Sequence, residues 1–449
     1  MSDPTEIPRV VVAAAASGHG KTTIATGLIA ALRARGLEVS PHKVGPDYID
    51  PGYHGLAAGR PGRNLDPWLV GEERIAPLFL HGALSPRRAD VAVVEGVMGL
   101  HDGAVGHRDL ASTAHVARLL QAPVLLVLDT TAQGRSAAAI VLGMQAFDPR
   151  VRIGGVVLNR VGSPRHESLL REALAEVGVP VLGVVPRSAA VATPSRHLGL
   201  VPVAERSVES LATVAELARL VEETVDLDAV LDLAATAPPL ACAAWDAAAE
   251  VGGPVAAGVR VAVAAGRAFT FSYAETAELL AAAGADVVGF DPVTDPALPV
   301  GTRAVVLGGG FPELHVEALA ANAGLRADLA AFDGPVLAEC AGLLYLGREL
   351  DGVPMVGRIG SSARMTSQLV LGYRDAVALA DSVVAREGER VRGHEFHRTA
   401  TDPAHGARAA WGWDRARHGF VDGRVHASYL HTHWAGTPGA ARRFVEAAA

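Results

Sequence analysis

The feature that most constrains this fold is a repeated alternation of short apolar runs with helical patterns along the first half of the chain. The apolar runs occupy residues 9–15, 37–43, 91–96, 123–129, 153–158 and 180–185. Several such units in succession predict a doubly wound α/β domain, in which helices cover both faces of a parallel sheet. Ligands of such sheets bind at the carboxyl ends of the strands. Functional residues are therefore expected directly after the runs.

The first run leads into a phosphate-binding loop. Residues 9–23 read RVVVAAAASGHGKTT, which predicts a strand, a glycine-containing turn and the start of an amphipathic helix. Backbone N–H groups of such a loop surround phosphate oxygens, Lys21 can reach the outer phosphates, and the Thr22 hydroxyl can bind Mg²⁺. The pattern G-x-x-x-x-G-K-[ST] would have glycine at position 15, where this chain has Ala15. The segment predicts ATP binding by Ser17, Gly18, His19, Gly20, Lys21, Thr22 and Thr23.

Lysine is used only twice in this chain. Of its 40 basic residues, only Lys21 and Lys43 are lysines, and both stand beside glycine-rich turns. Because arginine has replaced lysine everywhere else, a retained lysine indicates a site that needs a compact ammonium group. For Lys43 two tasks stay open, since it could neutralise the γ-phosphate of ATP or bind a substrate carboxylate.

Acidic residues and an asparagine follow the other runs. Glu95 closes the run 91–96 and Asp47 follows the run 37–43, so both are predicted to join Thr22 as Mg²⁺ ligands. Asp50 and Asp102 are expected to bind substrate or metal, the alternative being that they cap turns in these loops. Asn159, after the fifth run, is expected to contact the adenine edge of ATP.

Composition limits the classes of function. With 449 residues, the chain is long enough for two or three domains, and a net charge of −8 offers no basic surface for nucleic acid. No apolar stretch is long enough to cross a bilayer, and the start MSDPTEIPRV does not read as a signal peptide. A soluble, cytoplasmic protein that binds neither nucleic acid nor membrane is expected. Two cysteines exclude both a disulfide framework and a four-cysteine zinc site.

The chain changes character in its middle. Residues 1–225 carry the strand-and-helix alternation, and residues 226–258 become rich in proline, glycine and alanine, which is typical of a linker. From residue 259 to 449 apolar strand patterns resume. The sequence therefore predicts a second α/β domain after the linker.

The second domain contains a candidate nucleophile. Cys340 ends an apolar run and precedes a helical pattern, which predicts a thiol on a tight turn above the sheet, where a helix N-terminus favours the thiolate. The alternative is a buried core cysteine, the interpretation preferred for Cys242. In the glycine run 308–310, the amides of Gly309 and Gly310 are predicted to form an oxyanion hole. Two histidines near the C-terminus are candidates for the base, His431 and His433.

Ten segments, in order along both domains, resemble one enzyme family. They are SGHGKTT, KVGPDYIDP, VEGVMGLHDG, LNRVGS, PSRHLGLVP, GGGFPELH, LAECAGLLYL, LGYRDA, GHEFHR and SYLHTHWA. In these segments the chain is similar to the cobyrinic and hydrogenobyrinic acid a,c-diamide synthases of corrinoid biosynthesis. The resemblance implies a P-loop amidoligase domain related to dethiobiotin synthetase, joined to a class I glutamine amidotransferase-like domain. It also implies ATP- and glutamine-dependent amidation of the a and c carboxylates through an acyl phosphate, with Mg²⁺, in cobalamin biosynthesis.

The resemblance also assigns roles in the second domain. Cys340 matches the nucleophile that releases ammonia from glutamine, and His431 matches the base, since an aromatic and an apolar residue precede it. Many amidotransferases have glutamate two residues later; His433 stands there and is the second candidate for the base. Ala341 replaces the usual glycine after the nucleophile, and Gly266 stands where the family tends to carry an acid.

Several alternatives share parts of this pattern. Cobyric acid synthase and the nickel-sirohydrochlorin a,c-diamide synthase have the same two domains, although GHEFHR and KVGPDYIDP favour the a,c-diamide group over cobyric acid synthase. A partitioning ATPase would need neither the thiol nor the second domain, and a corrinoid carrier would not turn over ATP. A preference for arginine over lysine is typical of GC-rich genomes. Many bacteria with such genomes use the oxygen-dependent route, which favours metal-free hydrogenobyrinic acid over cobyrinic acid as the substrate. The order of the two amidations and a homodimeric state stay open.

Overall fold

The computed structural model describes residues 4–187, 195–196, 199–200 and 207–449, with the backbone alone for 195, 196, 199, 200, 207 and 208. The chain forms two compact units, Met1–Trp245 and Asp246–Ala449. The segment PSRHLGLVP lies outside the described residues, except for a two-stranded pair, β8 (Ser195–Arg196) and β9 (Gly199–Leu200). Among the described helices, none combines the length and the apolar character that crossing a bilayer requires.

The first unit is built on a seven-stranded parallel sheet, as the alternation of apolar runs predicts. Its strands are β1 (Arg9–Ala14), β2 (Val39–Val44), β3 (Arg63–Leu65), β4 (Val91–Glu95), β5 (Val124–Asp129), β6 (Ile153–Val161) and β7 (Val181–Pro186). They lie in the order β3-β2-β4-β1-β5-β6-β7. All six predicted runs are strands, whereas the three-residue β3 is too short to show in the sequence. The doubly wound α/β fold class is confirmed.

Helices connect these strands. They are α1 (Lys21–Ala34), α2 (Asp50–Ala58), α3 (Pro67–Val70), α4 (Ile75–Leu84), α5 (Thr113–Leu119), α6 (Ser136–Phe147), α7 (Pro164–Glu176), α8 (Ser207–Thr224) and α9 (Leu227–Ala235). Helix α1 follows β1 directly and packs against α2 and α8. This connection places the start of α1 above the carboxyl end of the central strand, beside the ends of β4 and β2.

The predicted linker, residues 226–258, contains folded segments of both units. Helix α9 packs on β1, β4 and β7 of the first unit. Beyond it, Leu240 pairs with Thr5, and the Trp245 N–H donates to the Pro77 carbonyl at 2.9 Å. Helix α10 (Ala247–Val251) belongs to the second unit. The division between the units falls inside the stretch, between Trp245 and Asp246.

The second unit has two sheets. The first contains β10 (Val259–Ala264), β11 (Ala285–Phe290), β12 (Ala304–Leu307), β13 (Val336–Glu339), β20 (Phe420–Asp422) and β21 (Val425–Ser428), in the order β11-β10-β12-β13-β21-β20. Its strands are parallel except β20. Its helices are α11 (Ala274–Ala282), α12 (Val316–Ala321), α13 (Ala323–Ala331), α14 (Ala341–Leu346) and α15 (Gly439–Ala448). This sheet is the predicted second α/β arrangement.

The second sheet is largely antiparallel and has no counterpart in the sequence analysis. It contains β14 (Glu349–Leu350), β15 (Val353–Pro354), β16 (Ser362–Ala378), β17 (Arg390–Asp402), β18 (Trp411–Trp413), β19 (Ala416–His418) and β22 (His431–Thr432). The long strands β16 and β17 form a hairpin, and β22 pairs with β17 so that His394 lies opposite His431. Strand β21 ends only three residues before His431, so the C-terminal histidine segment lies at the carboxyl edge of the first sheet. Its pairing with β17 joins it to the second sheet.

Candidate active sites

The phosphate-binding loop follows β1 as predicted. Gly20 caps the N-terminus of α1 in the left-handed conformation, with φ 97°. A Cβ atom at this position would lie 2.3 Å from Nδ2 of Asn159, so both the backbone angle and the close approach require glycine. The amide of Asn159 donates to the His19 carbonyl at 2.9 Å. Asn159 therefore holds the loop, and Ser17 and Gly18 are exposed at its tip.

Lys21 lies at the start of α1 and is 7% exposed. Its ammonium donates to the carbonyl oxygen of Ala16, at 3.2 Å, and to that of Met98. Burial, followed by repulsion from Lys43, lowers the pKa of Lys21 to about 8. The ammonium is thus held among backbone carbonyls at the mouth of the loop, between β1 and the segment after β4.

Four predicted residues from three separate segments meet beside this loop. The Thr22 hydroxyl lies 2.6 Å from Oε1 of Glu95 and 3.3 Å from Oδ2 of Asp50. The Lys43 ammonium donates to Oδ2 of Asp50 at 2.6 Å and to Oε1 of Glu95 at 2.8 Å. Strand order explains the meeting, because β2 lies beside β4 with Lys43 opposite Glu95, and β4 lies beside β1.

The charges in this cluster depend on one another. Burial disfavours the charged form of Lys43, but Asp50 and then Glu95 outweigh it and raise the pKa above its usual range. Burial also opposes ionisation of Glu95, yet Lys43 and His54 hold its pKa well below the ordinary value. Burial, and next the charge of Asp47, raise the pKa of Asp50. Lys43 and Glu95 therefore form the charged pair at the centre of the cluster.

Asp47 and Asp102 are placed differently. One carboxylate oxygen of Asp47 accepts the N–H groups of Ile49, at 2.7 Å, and Asp50, at 3.1 Å, at the start of α2. The exposed Asp102 accepts the Gly99 N–H at 2.9 Å. Both carboxylates thus organise loops, which is the turn-capping alternative raised for Asp102. Asp50, rather than Asp47, lies with Thr22 and Glu95.

The sequence analysis did not identify His54. It lies on α2, one turn after Asp50, and its Nε2 is 2.7 Å from Oε2 of Glu95, with both side chains almost fully buried. The only signal in the sequence was the helical spacing of four residues from Asp50, which places the two side chains on one helix face.

In the second unit Cys340 occupies the predicted turn between β13 and α14. Its φ is 49°, an uncommon left-handed value for a residue with a side chain, and its N–H donates to the Ser428 carbonyl at 2.8 Å. Such strain at the end of a strand is typical of a nucleophile turn. Cys340 is nevertheless only 3% exposed.

The thiol is held in its neutral form, contrary to the expected helix effect. Burial, and next the charge of Glu313, raise the pKa of Cys340 well above its usual range. Helix α14 has only six residues, and a hydrogen bond from the Ala341 N–H favours the thiolate less than burial disfavours it. A base that takes the thiol proton during the reaction is therefore required.

The glycine run lies at the end of β12. Gly309 and Phe271 exchange both backbone hydrogen bonds, so the Gly309 N–H donates to the Phe271 carbonyl at 3.2 Å. Gly310 has φ 158°, and a Cβ there would lie 2.1 Å from the Ala268 carbonyl oxygen. The amide of Gly309 is thus already used, which leaves Gly310 of the predicted pair.

His431 is fully buried beside this glycine run. A Cβ on Gly309 would lie 2.4 Å from its Cε1, and its ring stacks on His394 with centroids 4.9 Å apart. Burial, then the nearby His397, lower the pKa of His431 to about 3. The imidazole is therefore neutral near pH 7, and in this buried state it is a weaker base than an exposed histidine.

His433 has different surroundings. Its Nδ1 accepts the Ala435 N–H at 3.3 Å, and its Nε2 lies 3.7 Å from Oε2 of the buried Glu275. Its ring stacks on Tyr273 at 4.2 Å. Because Nδ1 is an acceptor here, the proton of neutral His433 belongs on Nε2, facing Glu275.

Glu339, which precedes Cys340, accepts hydrogen bonds from Thr432, the residue after His431. Its Oε1 accepts the Thr432 N–H at 3.2 Å and hydroxyl at 2.8 Å. Burial raises the pKa of Glu339 to about 7, although these hydrogen bonds act in the opposite direction. The link ties the end of β13 to β22, and hence the Cys340 turn to the histidine segment.

Glu339 is expected to make the second unit less stable as pH rises. Its pKa is above the ordinary 4.5 in the folded state, so the folded state loses stability between about pH 4.5 and 7 as the carboxyl ionises. In Glu339→Gln, which keeps the oxygen acceptor, this loss should be absent, a difference of about 3 kcal/mol at pH 8. Calorimetric unfolding at pH 5 and pH 8 measures it; parallel pH profiles of the two proteins would contradict the expectation.

Two family models match the chain, one in each unit. Residues 10–201 match the CobQ/CobB/MinD/ParA nucleotide binding domain, and residues 260–439 match the CobB/CobQ-like glutamine amidotransferase domain. The first match contains the loop with Lys21 and the carboxylate cluster. The second contains Cys340, the glycine run and both candidate histidines.

Several curated proteins resemble the chain over almost its whole length. The hydrogenobyrinate a,c-diamide synthase of Streptomyces coelicolor is 59% identical, over 98% of this chain and 97% of that protein. The enzyme of the same name from Thermobifida fusca is 56% identical, over 98% and 97%. The cobyrinate a,c-diamide synthase of Gloeobacter violaceus is 46% identical, over 97% and 96%.

Proposed function

Because the chain belongs to the family of hydrogenobyrinate and cobyrinate a,c-diamide synthases, we propose that it amidates the a and c carboxylates of hydrogenobyrinic acid with ATP and glutamine. The observation that carries this proposal is the 59% identity to the Streptomyces coelicolor enzyme over 98% of the chain, together with a family model matching each unit. The metal-free substrate is preferred because the relatives of that name are 55–59% identical, whereas those named for cobyrinate are 41–46% identical. A carbon–nitrogen ligase that takes its nitrogen from glutamine agrees with both domains, since one is a nucleotide binding domain and the other a glutamine amidotransferase domain.

The first unit is proposed to activate the carboxylate. A corrin carboxylate oxygen attacks the γ-phosphorus of ATP, and the bond to the β,γ-bridging oxygen breaks. ADP departs, and the carboxylate has become an acyl phosphate. Lys21 is the compact cation for the outer phosphates, and the amides of the loop with Gly20 bind their oxygens. Ammonia then attacks the acyl carbon, and phosphate leaves while the nitrogen loses a proton.

Three oxygen ligands near the loop fit Mg²⁺. The Thr22 hydroxyl lies 2.6 Å from a Glu95 oxygen and 3.3 Å from an Asp50 oxygen, and hydroxyl and carboxylate oxygens are the ligands that Mg²⁺ prefers. Bound Mg²⁺ usually keeps several waters and also binds substrate phosphates, so three ligands from the protein are enough. Bound there, Mg²⁺ would neutralise charge on the transferring phosphoryl group. We assign Asp50 to this set and leave Asp47 to the turn before α2.

Lys43 is proposed to balance the cluster. It holds Asp50 and Glu95 together through its two ion pairs and is 3% exposed. Its ammonium is proposed to neutralise the γ-phosphate or the substrate carboxylate, the two tasks that the sequence leaves open for it. Asp102 and Asn159 are proposed to shape the loops around the nucleotide, with the adenine contact of Asn159 still a prediction.

The second unit is proposed to release ammonia from glutamine. Sγ of Cys340 attacks the amide carbon as its proton passes to the base, and the leaving ammonia takes that proton. Water then cleaves the thioester to glutamate. His431 is proposed as the base, because the Nδ1 lone pair and the Nε2 proton of His433 already face Ala435 and Glu275. Gly310 and the Ala341 N–H are proposed to stabilise the oxyanion.

The proposed substrate is tested by turnover with hydrogenobyrinic acid and with its cobalt form, using ATP, Mg²⁺ and glutamine. Two amides per macrocycle are expected in the product masses, with kcat/KM at least about tenfold higher for the metal-free acid, a preference of about 1.4 kcal/mol. Preference for the cobalt form would reassign the substrate. A product with amides at other side chains would favour a cobyric acid synthase. The cytoplasmic location and the homodimeric state stay predictions. Sedimentation of the purified protein would measure its oligomeric state.

A further inference from the structure

His54 is a buried histidine that the mechanism above does not use. Its side chain is fully buried, and the side chain of Glu95, which it contacts through Nε2 at 2.7 Å, is 1% exposed. Asp50 and His54 are four residues apart on α2, so one face of this helix presents both toward the carboxylate cluster. At 2.7 Å this contact is shorter than the contact of Lys43 with Glu95, at 2.8 Å, and that of Thr22 with Asp50, at 3.3 Å.

The two oxygens of Glu95 have separate partners. Oε1 receives the Thr22 hydroxyl at 2.6 Å and the Lys43 ammonium at 2.8 Å, whereas Oε2 faces Nε2 of His54. The contact between Nε2 and Oε2 has the length of an ion pair without the angle of a hydrogen bond, and a proton on Nε2 would favour the charged form of Glu95. A carboxylate held on both oxygens cannot rotate about its last torsion without breaking one of the contacts.

We propose that His54 is a positioning residue for Glu95, fixing the carboxylate so that Oε1 stays directed to Thr22 at the Mg²⁺–ATP site. The proposal rests on the proposed function of this site. His54 touches neither nucleotide nor macrocycle; it acts through Glu95. Groups that orient a metal ligand from behind commonly change metal affinity by about 10–100-fold when removed.

The test compares two amide side chains of different reach. His54→Gln can place its nitrogen near the position of Nε2, whereas His54→Asn is too short, although both are buried polar amides. His54→Leu removes the donor altogether. Titration calorimetry measures binding of ADP at fixed Mg²⁺, and of Mg²⁺ to the ADP complex, in the full-length protein. Steady-state assays give KM for ATP and, separately, KM for glutamine.

We expect His54→Asn and His54→Leu to weaken Mg²⁺ binding to the ADP complex by about tenfold or more, and His54→Gln by less than about threefold. KM for ATP should rise in parallel, while KM for glutamine should not change. Equal binding in wild type, Asn and Gln variants would overturn the proposal. So would equal weakening in Gln and Asn, because a purely structural histidine would not distinguish them.

His42→Asn is the matched control. His42 is equally buried on the neighbouring strand, but it contacts the Ser40 hydroxyl at 2.9 Å and the Phe79 ring at 4.8 Å. Its replacement should lower the melting temperature without the selective loss of Mg²⁺ affinity. If this control weakens Mg²⁺ binding as much as His54→Asn, the proposal fails. If wild type itself binds no Mg²⁺ with ADP, the proposed function of the site fails instead.

Discussion

Replacing Cys340 with serine is expected to abolish amidation with glutamine by at least about 1,000-fold, because no other described thiol stands at a strand-to-helix turn. Amidation with ammonium salts should stay within about twofold of wild type, since activation of the carboxylate belongs to the first unit. Product formation with each nitrogen donor, at saturating ATP, measures the difference. The expected effect is large because attack on the amide requires the thiolate itself.

The physical state of Cys340 makes this result informative. Burial raises the pKa of its thiol and lowers that of His431, the proposed base, so both groups are neutral before the reaction. A serine hydroxyl in the same place is a still weaker acid and would need the same base. Cys242→Ser is the matched control, because Cys242 lies in the first unit and should leave both activities unchanged. Equal loss with both nitrogen donors in the Cys340 variant would contradict the separation of the two reactions.

Replacing Lys21 with arginine is expected to lower ATP-dependent amidation by about 100–1,000-fold with either nitrogen donor. Lys21 is 7% exposed and its ammonium donates to two backbone carbonyl oxygens, an arrangement that the wider planar guanidinium does not reproduce. Arginine keeps the charge, so the loss would come from shape and position alone. Glutaminase activity, which belongs to the second unit, should remain.

The control is the reverse exchange, from arginine to lysine, just after the C-terminal end of the same helix. Arg35 follows the end of α1 and pairs with Asp228 on the surface at 2.9 Å, so Arg35→Lys should change the rate by less than about twofold. Turnover of ATP and the mass of the macrocycle product measure both variants. Near-normal activity of Lys21→Arg would contradict the inference that a retained lysine marks a need for a compact cation.

Local pieces of the fold could be predicted because they depend on neighbours in sequence. The run from β1 through Gly20 to Thr22 has its own turn, helix start and charge, and the structure confirms each element. The turn at Cys340 was equally visible, since an apolar strand meets a helical pattern there. By contrast, the hairpin of β16 and β17 was missed, because β16 is partly exposed along most of its length and the buried face of β17 carries polar residues such as Glu395 and His397.

The chemical state of the site residues was not readable in the same way. The sequence favoured a thiolate at Cys340, but burial among carboxylates decides the pKa, and burial is a property of the packed unit. Likewise the sequence pattern favoured Asp47 as the Mg²⁺ ligand and left Asp50 to substrate or metal, although it is Asp50 that lies beside Thr22. Only the start of α2, where Asp47 accepts two backbone amides, separates their positions.

The sequence by itself determined the P-loop with Lys21, the nucleophile turn, the α/β class and the family of this chain. Tertiary structure alone decided which distant residues meet. Lys43 and Glu95 are 52 residues apart and touch because β2 lies beside β4, and His54 joins them because α2 packs over the same edge. Strand order follows from which faces pack together over the whole unit, so no local pattern contains it.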